Sequence, residues 1–265
     1  AGNDILALIH RFDLPQGFPE NVLAEAGAIH KSLSAHDLRD RDDWRDRLVV
    51  TVDPFDARDF DDAIHVQREI DGWLLAVHIA DVAHYVKSGS AIDVEARQRG
   101  NSTYLVDRVL PMLPESLSNG LCSLVPGEDR LTRLVEMRFD GKGQLLSARM
   151  ASAVIRSARR FTYEEAFAVL QQNIGSLAED PAALMLHEAW KLAACLRQRR
   201  FKQGSLDLDF PEIKVVLDST GRPVELRRVE HDISHQLIEE CMLAANETVA
   251  ATLRRLDPAI EDVAE

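Results

Sequence analysis

The feature that most constrains this chain is an acidic loop set between two apolar segments, TVDPFDARDFDDAIHV. Asp53, Asp59, Asp61 and Asp62 all lie between positions 53 and 62, directly after the run Leu48-Val49-Val50-Thr51-Val52. Four carboxylates held this close repel one another, and their pKa values rise unless a cation neutralises them. Hard cations such as magnesium take oxygen ligands. Most acidic loops are simply solvated turns. Here an apolar strand pattern leads in, another leads out, and Phe60 sits among the acids, which argues for a loop fixed against a core.

The spacing D-x5-D-x-D-D suits phosphodiester hydrolysis by two cations about 4 Å apart, one activating water and the other stabilising the leaving oxygen. In an extended segment Asp59 and Asp61 project to one side, while Asp53 and Asp62 approach from the flanks. Arg58 sits among them, placed to neutralise charge or contact phosphate. A calcium loop of the EF-hand kind requires a glycine and a terminal Glu that are missing here. The DFDD string also occurs in the DxDD acid of some terpene cyclases, but those proteins are all-helical and this chain is rich in strand patterns.

Composition narrows the options. At 265 residues the chain can bury a substantial core. No apolar run has the length of a membrane span. The opening AGNDILALIHRFD lacks the pattern of a signal peptide. Cys122, Cys195 and Cys241 are far apart with no CxxC spacing, so a reducing cytoplasm is expected rather than a disulfide framework. The net charge of -13 argues against a general polyanion binder. Positive charge is nevertheless clumped at Arg156/Arg159/Arg160, at Arg197/Arg199/Arg200/Lys202 and at Arg227/Arg228. A solvated face is the commoner reason for such runs, yet a metal-dependent phosphodiesterase needs an acidic nest and local basic contacts together.

Local signals set the elements. Asn21 to Ala28 is a helical pattern, and positions 36–43 read as a charged loop. Ala63–Glu69 and Trp73–Ile79 form a hairpin around Asp71-Gly72, a pair that accepts the positive φ of a tight primed turn. Ser90 with Asp93 opens a helix that Gly100 stops. Strands at 131–139 and 144–155 flank the turn Asp140-Gly141-Lys142-Gly143. Thr162 with Glu165 is a capping box. Asp180 before Pro181 starts a helix ending near Gly204. Strands follow at Leu206–Phe210, Ile213–Asp218 and Val224–Val229. A long helix from about Ile233 to Leu256 carries Leu237, Cys241, Ala245 and Val249 on one stripe. There is no βαβ alternation. The expected fold class is α+β, a mixed, mostly antiparallel sheet flanked by helices.

Three stretches carry a resemblance: TVDPFDARDFDDAIHV, AVHIADVAHYVKSGSAIDVEARQRGNSTYLVDRVLPMLPESLSNGLCSLVPGEDRL and HQLIEECMLAANETVA. In this order they resemble the RNB-type catalytic domain of the ribonuclease II / ribonuclease R family, on the ribonuclease R side, from about Asp37 to Leu256. The resemblance implies a processive, Mg²⁺-dependent exoribonuclease that degrades single-stranded RNA from the 3′ end to nucleoside 5′-monophosphates. It gives Asp53, Asp59, Asp61 and Asp62 as the active-site acids, with Asp61 the one whose loss stops cleavage while RNA still binds. Tyr104 matches the tyrosine that stacks on the 3′-terminal base. Glu239 or Glu240 contacts RNA near the site, the choice left open, and Asn246 supports it. Residues 1–36 match a helical segment before the catalytic domain at 37–265. The family's later SPIRRY-type arginine motif and its flanking oligonucleotide-binding barrels lie outside this sequence. The chain therefore reads as a fragment, incomplete at the C-terminus of the domain. RNA-decay or ribosome-associated factors are the partners the family suggests, and no membrane partner is expected. The rival readings are a catalytically incomplete RNA-binding scaffold and a DNA-directed metal nuclease.

The remaining polar and aromatic residues of note fit structural roles. His78, Asp81 and His84 have metal-like spacing, but imidazole suits zinc better than magnesium, and structural hydrogen bonds at a strand end are expected. Arg97 and Arg99 fit a helix C-terminus as well as a phosphate contact. Trp44, Trp73 and Trp190 sit in apolar patterns and are most simply core or partly buried.

Overall fold

The computed structural model describes residues 2–30, 32–206, 212–218, 221–229 and 231–256. In chain order the elements are α1 (Gly2–Arg11), α2 (Glu20–Ala28), β1 (Asp42–Trp44), β2 (Val50–Asp53), β3 (Asp62–Glu69), β4 (Gly72–Ala80), the single turn α3 (Val82–Tyr85), α4 (Ala91–Arg99), β5 (Thr103–Tyr104) and β6 (Val109–Leu110). They continue with a π-helical turn (Leu117–Leu121), β7 (Asp129–Asp140), β8 (Leu145–Arg156), β9 (Arg159–Thr162), α5 (Tyr163–Leu170), a 3-10 turn (Ile174–Leu177), α6 (Pro181–Lys202), β10 (Glu212–Leu217), β11 (Pro223–Val229) and α7 (Ile233–Leu256). The predicted strand at Leu206–Phe210 falls, beyond Leu206, outside the described residues. Two compact units result: α1–α4, β5, β6, the π-helical turn and the β10–β11 hairpin form one, and the other elements form the larger.

The larger unit is built on a seven-stranded sheet in the order β1-β8-β7-β4-β3-β2-β9. The central pairs β8/β7, β7/β4, β4/β3 and β3/β2 are antiparallel. The two edges are parallel additions, β1 on β8 and β9 on β2. The class is therefore α+β with a mixed, mostly antiparallel sheet. Strand β1 falls in the segment expected to be loop. At three residues, DDW, it is too short to carry a period, and only its pairing with Ala153–Ile155 makes it a strand.

One sheet face buries Val50, Val52, Ile64, Val66, Leu75, Val77 and Met137 against α5, α6 and α7. Helix α6 contributes Ala183, Leu186 and Ala189, and α7 contributes the predicted stripe Leu237, Cys241 and Ala245. The helix starts follow their local signals. Thr162 accepts from the Glu165 amide while Glu165 accepts from the Thr162 amide. Asp180 accepts from the Ala183 amide, with Pro181 in the first turn. On the opposite face Trp44 meets His65 and His78 edge-on, at centroid distances of 5.7 and 5.0 Å. His78 is fully buried and bonds the Thr132 hydroxyl at 3.1 Å. Asp81 is buried between Arg41 (2.7 Å) and Arg133 (3.0 Å). His78 and Asp81 are thus structural, and His84 belongs to the other unit.

The β3–β4 turn forms where expected but for a different reason. Glu69 pairs with Gly72 around Ile70-Asp71, and none of these residues has positive φ. Gly72 is required because a Cβ there would collide with the Phe139 carbonyl of β7.

In the smaller unit α4 has the predicted ends: Ser90 accepts from the Asp93 amide, and Gly100 closes the helix at φ 77°. Glu25 of α2 accepts from the Ala91 amide at 2.7 Å. Arg99 is buried. It pairs with Glu95 at 2.8 Å, lies over Phe18, and donates to the carbonyls of Pro15, Gly17 and Pro111. These contacts give Arg99 a structural role in the smaller unit. Strands β5 and β6 form a short antiparallel hairpin, as do β10 and β11. Among the described residues no helix is long and apolar enough to cross a membrane.

Candidate active site

The acidic loop joins the end of β2 to the start of β3 and is pinned along its length. Asp53 is the last residue of β2, paired in register with Thr162 of β9. Asp62 is the first residue of β3, paired with Ile79 of β4. Arg160 donates to the carbonyls of Pro54 (2.6 Å) and Phe55 (3.0 Å) and lies over the Phe60 ring. The Leu124 amide donates to the Phe60 carbonyl, and the Ala80 amide to the Asp61 carbonyl. Phe60 is 8% exposed, so the aromatic residue anchors the loop in the core as its position among the acids implied.

The four acids share one neighbourhood but differ in environment. Asp53 is 5% exposed, and its Oδ2 is buried with no hydrogen-bond partner. Burial pushes its carboxyl up to about 6. Asp61 and Asp59 add repulsion, while the nearby Thr51 hydroxyl and Arg160 offset part of it. Asp62 is half-buried and is pushed up to about 7, by burial first and then by Asp61 and Asp53. Asp61 is open to solvent on its outer side, yet the surrounding protein still strips enough water to raise its carboxyl, with Asp59 adding to the effect. Asp59 and Arg58 are exposed on the outer part of the loop.

Among the described residues no three His, Cys, Asp or Glu side chains close around one ion position. The donor set still fits a hard divalent cation in its chemistry. It is all carboxylate oxygen, mutually repulsive, and it includes a buried oxygen with no partner. Magnesium is commonly held by one or two carboxylates, waters and substrate phosphate rather than by a protein cage.

Helix α7 runs behind the inner acids. Cys241 is fully buried there, and its thiol is pushed up to about 12 by burial, then by Asp62 and Glu240. Glu240 is 2% exposed and is paired with Arg200 at 2.6 Å and Arg197 at 3.6 Å. Glu239 and Asn246 are exposed. The sequence left Glu239 and Glu240 equivalent, and burial separates them: Glu240 is an ion-pair anchor and Glu239 is the accessible acid. Tyr104 lies on the smaller unit, at the end of β5, and is 67% exposed.

One residue escaped sequence reasoning. Tyr163 opens α5 directly after Thr162, so the β2–β9 register carries it to the end of the Asp53 strand. Its phenol is pushed up to about 12, by burial first and then by Asp62, Asp53 and Asp61. The capping box fixed the helix start, and only the parallel pairing of β9 with β2 places that start beside the acids.

Known proteins share this fold. The family described as the RNB domain matches residues 41–260. Ribonuclease R of Thermotoga maritima is 46% identical over 251 residues, 93% of this chain and 35% of that protein. Ribonuclease R of Mycoplasmopsis pulmonis is 41% identical over 90% of this chain and 33% of its own length. This chain thus spans about a third of the length of the curated relatives it matches. The structure of Mycoplasma genitalium ribonuclease R in complex with double-stranded RNA superposes with a TM-score of 0.88 at 34% identity, over 95% of this chain and 45% of that one. Yeast Ssd1, a pseudonuclease, shares the fold at a TM-score of 0.66 and 20% identity, covering 84% of this chain and 27% of that one. By sequence match and superposition, the chain belongs to the RNB-domain family.

Proposed function

We propose that this chain carries the catalytic acids of a Mg²⁺-dependent exoribonuclease. It would hydrolyse single-stranded RNA processively from the 3′ end and release nucleoside 5′-monophosphates. The observation that carries this reading is the carboxylate cluster at the β2–β3 junction, with a buried, unpartnered Asp53 oxygen and raised carboxyls at Asp53, Asp61 and Asp62. A folded chain that keeps such a cluster is stabilised by a cation there. When bound, two magnesium ions activate the attacking water and stabilise the leaving oxygen.

The protein's own groups divide the remaining work. Asp53 and Asp62 form the inner, desolvated pair of ligands. Asp59 and Asp61 form the outer pair, with Asp61 orienting the nucleophilic water. Tyr163 keeps its proton at neutral pH and can donate to a phosphate oxygen. Arg58 provides positive charge on the outer loop. Glu239 and Asn246, accessible on α7, contact the RNA, while Glu240 holds α7 to α6. Tyr104 stacks on the terminal base, worth roughly 1–3 kcal/mol. The catalytic domain is read as residues 37–265 after a helical segment at 1–36. A cytoplasmic setting with RNA-decay or ribosome-associated factors fits this chemistry.

Incubation of the protein with uniformly labelled single-stranded RNA tests the reading. Mononucleotides are expected with Mg²⁺ and none with chelator, and a DNA strand of the same sequence should survive. RNA binding without nucleotide release at any Mg²⁺ concentration would favour the scaffold reading and overturn this one.

A further inference from the structure

Beside the carboxylates lies a side-chain stack whose histidine the chemistry above leaves unused. The rings of Tyr163 and His235 are parallel, with centroids 4.0 Å apart and planes 14° apart. His235 stands in the first turn of α7 and donates from Nδ1 to Asp232 Oδ1 at 3.1 Å. The same oxygen accepts from the Ser234 amide at 2.9 Å and from the Ser234 hydroxyl. Asp232, just before α7, thus fixes both the helix entrance and the imidazole orientation. The Tyr163 backbone is held independently, by the Thr162–Glu165 capping box and by the pairing of β9 with β2. Backbone constraints place the Cα of Tyr163, and its half-buried ring packs against the core, which limits χ1 and χ2 without selecting a single rotamer. A flat partner at stacking distance removes the remaining freedom.

We propose that His235, oriented by Asp232, is a positioning residue that holds the Tyr163 ring against the Asp53–Asp62 acids. A group kept in place before substrate arrives contributes more than one that must be ordered in the complex. The use of the ring in RNA cleavage rests on the function proposed above, whereas its placement does not.

Spectroscopy tests the placement without requiring turnover. The chain has three tyrosines, so ζ-¹³C-tyrosine labelling gives three resonances, assigned by single Phe substitutions. Replacing Asp62→Asn should shift the Tyr163 resonance in the parent background. With His235→Ala the response should fall to less than about half as the ring samples other rotamers. His235→Phe, which keeps a flat ring at that position, should restore it. An undiminished response in His235→Ala would overturn the proposal, as would no response of Tyr163 to Asp62→Asn in any background.

Where nucleotide release is measurable, His235→Ala should lower kcat about 10- to 100-fold with little change in KM. In a Tyr163→Phe background it should have almost no further effect. Equal losses in both backgrounds would also overturn the coupling. Failure of the parent chain to release nucleotides would remove the proposed function and leave the tyrosine result standing.

Discussion

At the scale of single residues, the site separates groups that look alike in sequence. Asp61 is the outer acid assigned to the water. Asp61→Asn should abolish nucleotide release while leaving RNA binding within about twofold, a separation of binding from chemistry read by filter binding beside the release assay. Release at the parent rate would remove that assignment. Glu239 and Glu240 separate the other way. Glu240→Ala removes the buried carboxylate that pairs with Arg200 and Arg197, leaving Arg200 the longer 3.5 Å contact to Glu239, and should cost about 2 kcal/mol in urea unfolding. Glu239→Ala should change stability by less than about 0.5 kcal/mol and weaken RNA binding instead. The sequence made the acidic cluster legible because four aspartates around a phenylalanine, between two apolar strands, suit ion binding far better than a solvated turn. It left the two glutamates tied because adjacent helix positions differ only in which neighbour they face. Nothing near Tyr163 in the sequence names Asp53, so that tyrosine was illegible.

At the scale of elements, most boundaries follow from local chemistry. Caps at Ser90, Thr162 and Asp180 all start helices, and the stripe Leu237-Cys241-Ala245 is the buried side of α7. The β3–β4 hairpin is also legible, but the reason for its glycine is not. Asp71-Gly72 suggests a turn that needs positive φ, whereas the constraint is the neighbouring β7 backbone, which no short-range pattern contains. Gly72→Ala should therefore destabilise by about 3 kcal/mol, the scale of overpacking a closed site. An Asp71→Ala change should be nearly neutral. Thermal unfolding of the two variants distinguishes them, and a loss at Gly72→Ala no larger than at Asp71→Ala would remove the steric explanation. Strand β1 shows the same limit, since three residues take their identity from a partner more than 100 positions away.

At the scale of the whole molecule, the carboxylates make stability depend on pH and on cation together. Asp53 and Asp62 have folded pKa values raised to about 6 and about 7. A raised carboxyl supports the fold below its ordinary pKa and loses that support as pH rises through the folded value. The metal-free chain should therefore lose this contribution between about pH 4 and 7. His78, lowered to about 3 by burial and by His65, runs oppositely, gaining stability as pH rises from 3 toward 6.5. Comparing melting with and without Mg²⁺ at each pH cancels the histidine. The Mg²⁺-dependent rise in Tm should be larger at pH 8 than at pH 5, and Asp53→Asn should shrink it at pH 8. A rise independent of pH would place the ion elsewhere. The parallel edges of the sheet carry a further consequence, for assembly on the ribosome. Residues 50–53 wait for residues 159–162 before their outer side is paired, and such long-separation contacts close slowly. A nascent chain with Asp53, Asp59, Asp61 and Asp62 already synthesised would still lack a finished pocket, so pulse-labelled amides of β9 should gain protection after those of the β3–β4 hairpin.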